Sequence, residues 1–204
     1  MKITYSSGKN NKIHVSTDGE YRFTVDADFW FSQCIYQGEE LSEEEVAELE
    51  EKIGVRRAFN KGMDFLSRRA HSKKELIEKI SKTNEKKYAI IACDLLEERG
   101  YVNDEEFAAQ YYDYLQRVKH FGAKRITVEL SKKGIDKMLI SHLLQEDESD
   151  SIEEIKKLLA GRFASKLSDE ASKRRTVNAL LRLGYTYSDI RRAMSENEYG
   201  EYFE

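Results

Sequence analysis

The feature that most restricts the fold of this chain is a self-similarity at a step of fifty residues. Leu76, Ile126 and Thr176 fall in one register, as do Ile80, Leu130 and Leu180, and Ile90, Ile140 and Ile190. Polar positions keep the same step: Lys74, Lys124 and Arg174, then Lys82, Lys132 and Arg182. Asn84, Gly134 and Gly184 also share it, residue types that accept the left-handed backbone of a helix C-terminus. A repeat of this size has too little apolar surface to be stable alone, and stacking against a neighbour buries the stripe it exposes. The period therefore predicts a mainly α protein of tandem three-helix repeats, stacked in an elongated curved array.

The helical signals sort into three units. In the first, over 55–102, Val55, Ala58, Phe59, Gly62, Met63 and Leu66 follow the i, i+3, i+4, i+7 pattern of a buried face. Ser72-Lys73-Lys74-Glu75 is a capping box opening its second helix, and Lys86–Arg99 forms the third, closed by Gly100. The second unit, 103–147, opens at Asn103-Asp104-Glu105-Glu106 and continues with helices over 122–133 and 136–145. The third, 148–195, opens at Ser151 and ends with helices over 169–183 and 188–195. The acidic stretch Gln145–Asp150 is the expected joint between repeats, and the tail, 196–204, is expected to fray.

Ahead of the repeats, over 1–54, the pattern changes from helical to alternating. Ile13 and Val15, the turn Asp18-Gly19, then Tyr21, Phe23 and Val25 predict a β-hairpin head, with Lys2–Tyr5 as a candidate third strand. Ser42 and Glu45 form a capping box for a helix linking this head to the first repeat. Phe29-Trp30-Phe31 is expected to pack the head against itself.

Charge is uneven. Residues 1–54 carry 5 basic and 12 acidic side chains, 55–147 carry 19 and 15, and 148–204 carry 10 and 11. An acidic head and a mildly basic middle do not describe a protein that grips duplex DNA by charge alone. Basic residues nevertheless recur at one phase of the second helices: Lys73, Lys74 and Lys82; Lys124, Arg125, Lys132 and Lys133; Arg174, Arg175 and Arg182.

The second unit, from Asp104-Glu105-Glu106-Phe107-Ala108 through Tyr112, Arg117 and Gly122-Ala123-Lys124-Arg125-Ile126 to Glu129-Leu130-Ser131-Lys132-Lys133-Gly134-Ile135, resembles the signature of the RecX family. Phe65-Leu66-Ser67-Arg68-Arg69, Ser72–Leu76 and Leu95–Val102 support it from the first unit, and Leu180–Tyr185 with Ile190 from the third. The third unit departs from the family pattern in placing Leu183, where a basic residue usually precedes the glycine. The resemblance implies a regulator of the bacterial RecA recombinase. Such a protein lodges in the groove of the RecA–DNA filament, restrains recombinase, ATPase and co-protease activity, and in some members binds single- or double-stranded DNA weakly. It adds Arg68, Arg69 and Arg117 to the basic phase as expected partner-binding residues. The alternative kept beside it is a stand-alone helical-repeat DNA-binding protein, since a short turn between second and third helices echoes helix-turn-helix geometry.

Enzymatic chemistry is not expected. His14, His71, His120 and His142 stand at no metal spacing and read as surface or boundary residues. No phosphate-loop, dinucleotide, nucleophile-elbow or HExxH motif occurs. The glutamates between Glu39 and Glu51 lack the alternating ligands of a calcium loop. Cys34 and Cys93 form no paired motif and are expected to be reduced thiols. With a polar N-terminus and no apolar run long enough for a bilayer, the expectation is a cytoplasmic monomer without metal or cofactor. Of Tyr111, Tyr112 and Tyr114, one or two are expected in the core, and an exposed one would serve as an interface anchor.

Overall fold

Alternation in the head produces a three-stranded antiparallel meander: β1 (Ile3–Ser7), β2 (Lys12–Thr17) and β3 (Glu20–Asp26), in the order β1-β2-β3. Tyr5 pairs with Val15, and Val15 with Phe23. The period of two puts Ile13, Val15, Phe23 and Val25 on one face, where all four are buried. Asp18 and Gly19 both have positive φ, 51° and 86°, the two-residue turn whose twist suits a hairpin. The candidate third strand is therefore present as β1.

The computed structural model describes residues 1–146 and 150–196. Helices α1 (Ala27–Ser32) and α2 (Glu43–Leu66) cover the sheet face. Trp30 is fully buried there, against Phe23 and Tyr5, so it belongs to the core of the head. The Ser42 box forms as expected: the Glu45 N–H donates to Ser42 Oγ at 3.1 Å and the Ser42 N–H to the Glu45 carboxylate at 2.8 Å. The hydrogen bonds that Ser42 gives to the Glu45 carboxylate, the backbone one first, hold that carboxyl below its usual pKa. Helix α2 runs without a break across position 54/55, so linking helix and first repeat helix are one element of 24 residues.

Among the described residues eight further α-helices follow: α3 (Lys73–Ile80), α4 (Lys86–Glu98), α5 (Asp104–Asp113), α6 (Ala123–Lys132), α7 (Lys137–Glu146), α8 (Ser151–Ala160), α9 (Glu170–Leu183) and α10 (Tyr187–Glu196). A π-helical turn, Tyr114–Val118, extends α5. Of the joint expected at Gln145–Asp150, Gln145 and Glu146 end α7 and Asp150 caps α8, while 147–149 lie outside the described residues, as does the tail beyond Glu196.

The chain divides into two compact units. One comprises Met1–Asp64 and Lys79–Leu96, the other Phe65–Glu78 and Glu97–Glu204. In the first, α4 crosses α2 at Gly54, where any side chain would enter the volume of the Tyr88 ring. In the second, Phe107, Ala108, Tyr112, Leu115, Ile126, Leu130, Ile135 and Ile140 form one core. A separate core gathers Ile155, Leu158, Leu159, Leu180, Ile190, Ala193 and Met194.

The fifty-residue register holds for most positions and slips in one place. Leu76, Ile80, Ile126, Leu130, Ile140, Thr176, Leu180 and Ile190 are buried, whereas Ile90 is 40% exposed and Ala89 takes the inward position. The turn before it differs: Gly134 and Gly184 adopt positive φ, 85° and 97°, but Asn84 does not. Asn84 instead donates its side-chain amide to the Ile80 carbonyl at 3.3 Å. Without the left-handed residue the chain re-enters helix on a shifted phase, and α4 packs through Ala89, Ala92, Cys93 and Leu96.

Candidate partner-binding surface

Four of the expected basic residues stand in the first turn of a second helix, and that position matters. Lys73 and Lys74 occupy the first two positions of α3, Lys124 and Arg125 the second and third of α6. A cation in the first turn opposes the helix dipole, at roughly 0.3–1 kcal/mol. Arg174 and Arg175 escape that cost because α9 starts earlier, capped by Asp169, whose carboxylate accepts from the Ser172 N–H at 3.0 Å.

Two equivalent joints fix these helix ends. At the first, the buried Ser72 donates its hydroxyl to the Lys133 carbonyl at 2.7 Å. A Cβ on Gly134 would stand 2.6 Å from the Cβ of Lys74. At the second, fifty residues on, the Gly122 N–H donates to the Leu183 carbonyl at 2.9 Å. There a Cβ on Gly184 would enter the backbone of Arg125, and one on Gly122 would stand 2.7 Å from the Gly184 carbonyl carbon. The turn glycine of a later repeat thus seats against the second-helix N-terminus of the preceding one, in the same register twice.

The joints also account for Leu183. Lys133 reaches Glu75 at 3.0 Å, and Arg69 reaches the same carboxylate at 2.6 Å. Burial pushes the Glu75 carboxyl up, but the hydrogen bonds from Arg69 and Lys133 outweigh it and hold the group at about 2. Fifty residues later the counterpart of Glu75 is Arg125, and a basic residue in place of Leu183 would face a like charge.

These contacts divide the expected set. Arg69 and Lys133 are engaged on Glu75, Arg125 and Lys132 on Glu129 at 2.8 and 3.2 Å, Lys73 on Glu97 at 2.6 Å, and Arg117 on Asp113 at 3.8 Å. Arg68, Lys74, Lys124, Arg174, Arg175 and Arg182 are exposed and form no ion pair among the described residues. Lys124, Val128 and Lys132 stand one turn apart on an exposed face of α6, and Arg174, Asn178 and Arg182 do the same on α9. Arg117 lies elsewhere, lining an open groove of about 860 Å³ with Gln110, Asp113, His120, Glu154 and Lys157.

Two features were not read from the sequence. His71 is 3% exposed rather than a surface residue; its Nδ1 lies 2.9 Å from the Arg69 carbonyl and its ring 6.0 Å from that of Phe65. Its place beside Ser72, at a packed joint, removes it from water. Phe107, Tyr111 and Tyr114 form an aromatic ladder with centroids 5.6 and 6.1 Å apart. Its i, i+4, i+7 spacing was the available signal. Tyr112 is core and Tyr114 is 41% exposed.

Among the described residues no three His, Cys, Asp or Glu side chains converge as metal ligands, and no helix is long and apolar enough to cross a membrane.

Residues 103–144 match the family described as RecX, second three-helix domain. Over 97% of its length the chain is 31% identical to the regulatory protein RecX of Bacillus subtilis, covering 76% of that protein. It is 29% identical to the regulatory protein RecX of Listeria monocytogenes over 96% of its own length and 76% of the relative's. A crystal structure of a regulatory protein RecX superposes with a TM-score of 0.70 at 20% identity, over 94% of this chain and 98% of that one. That of RecX from Lactobacillus salivarius gives 0.57 at 24% identity, over 70% and 96%. At those identities the two structures speak to the fold.

Proposed function

The chain belongs to the RecX family, and from that premise we propose that it binds the RecA recombinase on its DNA filament and regulates it, chiefly by restraining recombinase, ATPase and co-protease activity. The observation that carries this reading is the recurrence of exposed cations on the second helices, unpaired among the described residues in five cases and partly set against the helix dipole. A fold selected for stability alone gains nothing from Lys74 or Lys124 at those positions. A surface meant for carboxylates of a protein filament, or for its DNA backbone, does. In this reading the chain is organised as a head, 1–54, and three three-helix repeats, 55–102, 103–147 and 148–195. It works as a cytoplasmic monomer and as a binding protein rather than an enzyme.

Titrating the chain into RecA with single-stranded DNA, while following ATP hydrolysis, tests the reading. Inhibition is expected. Saturation far below one chain per RecA means blocked filament growth, and saturation near one per RecA means occupancy along the filament. An unchanged ATPase at every ratio overturns the proposal.

A further inference from the structure

We propose that the open groove at the starts of α5 and α7 docks a basic, amphipathic helical segment of a partner protein. This goes beyond the RecA reading, which rests on exposed cations; the groove has the opposite charge.

The groove holds about 930 Å³ and lies wholly within the second compact unit. Gly100 and Gly134, both at positive φ, 74° and 85°, turn the chain into α5 and α7 and leave the space open. Val102, buried, and Leu139, half-buried, give it an apolar wall. Met138, in the first turn of α7, is 79% exposed, more than any other large apolar side chain among the described residues. Its helix already covers the repeat core with Leu139, Ile140, Leu143 and Leu144, so packing does not require Met138.

Glu97, Asp104, Glu105 and Asp136 line the groove, and among the described residues no Lys or Arg does. Lys73 reaches Glu97 at 2.6 Å, whereas Asp104, Glu105 and Asp136 form no ion pair among the described residues. Lys137 is exposed outside the lining, and His142 faces Glu146 at 3.2 Å. Two helix starts supply about +0.5 each, so the four carboxylates, set against these and Lys73, leave the groove at about −2.

Capping accounts for part of this acid. Asp104 accepts from the Lys73 N–H at 2.8 Å, and Asp136 from the Met138 N–H at 2.7 Å. The next repeat meets the same need with different residues. Fifty positions on, Thr186 stands in place of Asp136 and accepts from the Asp189 N–H at 3.1 Å. Ile155 replaces Glu105, Ser188 replaces Met138 and Arg192 replaces His142. The acid and the methionine therefore belong to this groove, and the repeat does not demand them.

A basic amphipathic helix suits both features. Lys and Arg stems lie along apolar side chains while their heads reach carboxylates. The unbranched thioether of Met138 adapts to the apolar face of such a helix. Nucleic acid and anionic lipid would meet like charge. A bare divalent cation is disfavoured, because among the described residues no three acidic, His or Cys side chains converge.

The test is fluorescence anisotropy of a labelled amphipathic helical peptide of leucine and lysine, titrated with the full chain. Its counterpart of leucine and glutamate serves as control. The parent is expected to bind the first peptide and not the second. Met138→Ser should weaken binding about tenfold, part of the worth of one buried Met side chain, at every salt concentration. Glu105→Gln with Asp136→Thr, which keeps a capping hydroxyl, should weaken it about tenfold at low salt, the difference fading as salt rises. Glu44→Gln with Glu48→Gln, exposed acids of the head, should change nothing. No binding by the parent, equal binding of the two peptides, parental affinity in Met138→Ser, or an equal loss in the head variant overturns the proposal. So does self-association of the parent, read by sedimentation, that Met138→Ser abolishes, since a second copy would then fill the groove. RecA ATPase on the same proteins separates the two readings. Inhibition of RecA without peptide binding sinks this inference alone; peptide binding through Met138 with RecA untouched sinks only the RecA reading.

Discussion

At the scale of the residue, Glu75 shows how position changes what a side chain does. In the capping box it was expected to serve the start of α3; its carboxylate is held by Arg69 and Lys133 at a repeat joint. Because its folded pKa, about 2, is depressed below the ordinary 4.5, its contribution to stability is complete above pH 4.5 and lost as pH falls toward 2. Guanidinium unfolding of the parent and Glu75→Gln should show the parent more stable at pH 7, with the gap closing between pH 4.5 and 2. A gap independent of pH would mean that the ion pairs contribute nothing. Gly184 allows a second test. Alanine there meets both a left-handed backbone, costing about 1–2 kcal/mol, and the Arg125 backbone, adding an overpacking cost of about 1–3 kcal/mol. Gly100→Ala, also at positive φ but facing open space, should lose only the first contribution. Equal losses in thermal unfolding would dismiss the close approach at the joint.

Elements were legible where they depend on neighbours in sequence. The Ser42 box, the Asp18-Gly19 turn and the Asn103 cap all act over two to four residues, and all formed. Ser42→Ala should therefore lower stability by about 1 kcal/mol, measured by urea unfolding, because it strips an acceptor from the head of α2. The slip at Ile90 was not legible, since Asn84 tolerates the left-handed region without requiring it, and it took a different hydrogen bond. Leu183 belongs at this scale too. Leu183→Lys should destabilise the second joint by like-charge repulsion with Arg125, and adding Arg125→Glu should restore it by recreating the pair seen at the first. A double-mutant cycle is expected to give a favourable coupling of about 0.5–3 kcal/mol. Additivity would show that the joints are not electrostatically equivalent.

For the molecule as a whole, structure divides a uniform-looking basic stripe into two jobs. Reversing Lys124, Arg174, Arg175 and Arg182 together should weaken binding to RecA filaments at least about tenfold, the 1.4 kcal/mol that a few lost charge contacts supply. Its melting temperature should stay near that of the parent. Reversing Arg69 and Lys133 should lower the melting temperature instead, because both hold a largely buried carboxylate. Identical behaviour of the two variants in filament co-sedimentation and calorimetry would erase the division.

Helical character, the head's strands, the caps and the fifty-residue register are written in the order of the amino acids, because each rests on periodicity or on bonds between near neighbours. Packing settles which cations remain free, that His71 is buried, that Ile90 faces outward, and that a wide turn stands Tyr114 beside Lys119. Those outcomes depend on how the helices pack, as when Glu75 meets Lys133, or on a hydrogen-bond step that side-chain pattern does not encode. Lys124 and Lys133 are both lysines of one helix and its cap in the sequence. They differ because Glu75, 58 residues before Lys133, lies beside only one of them.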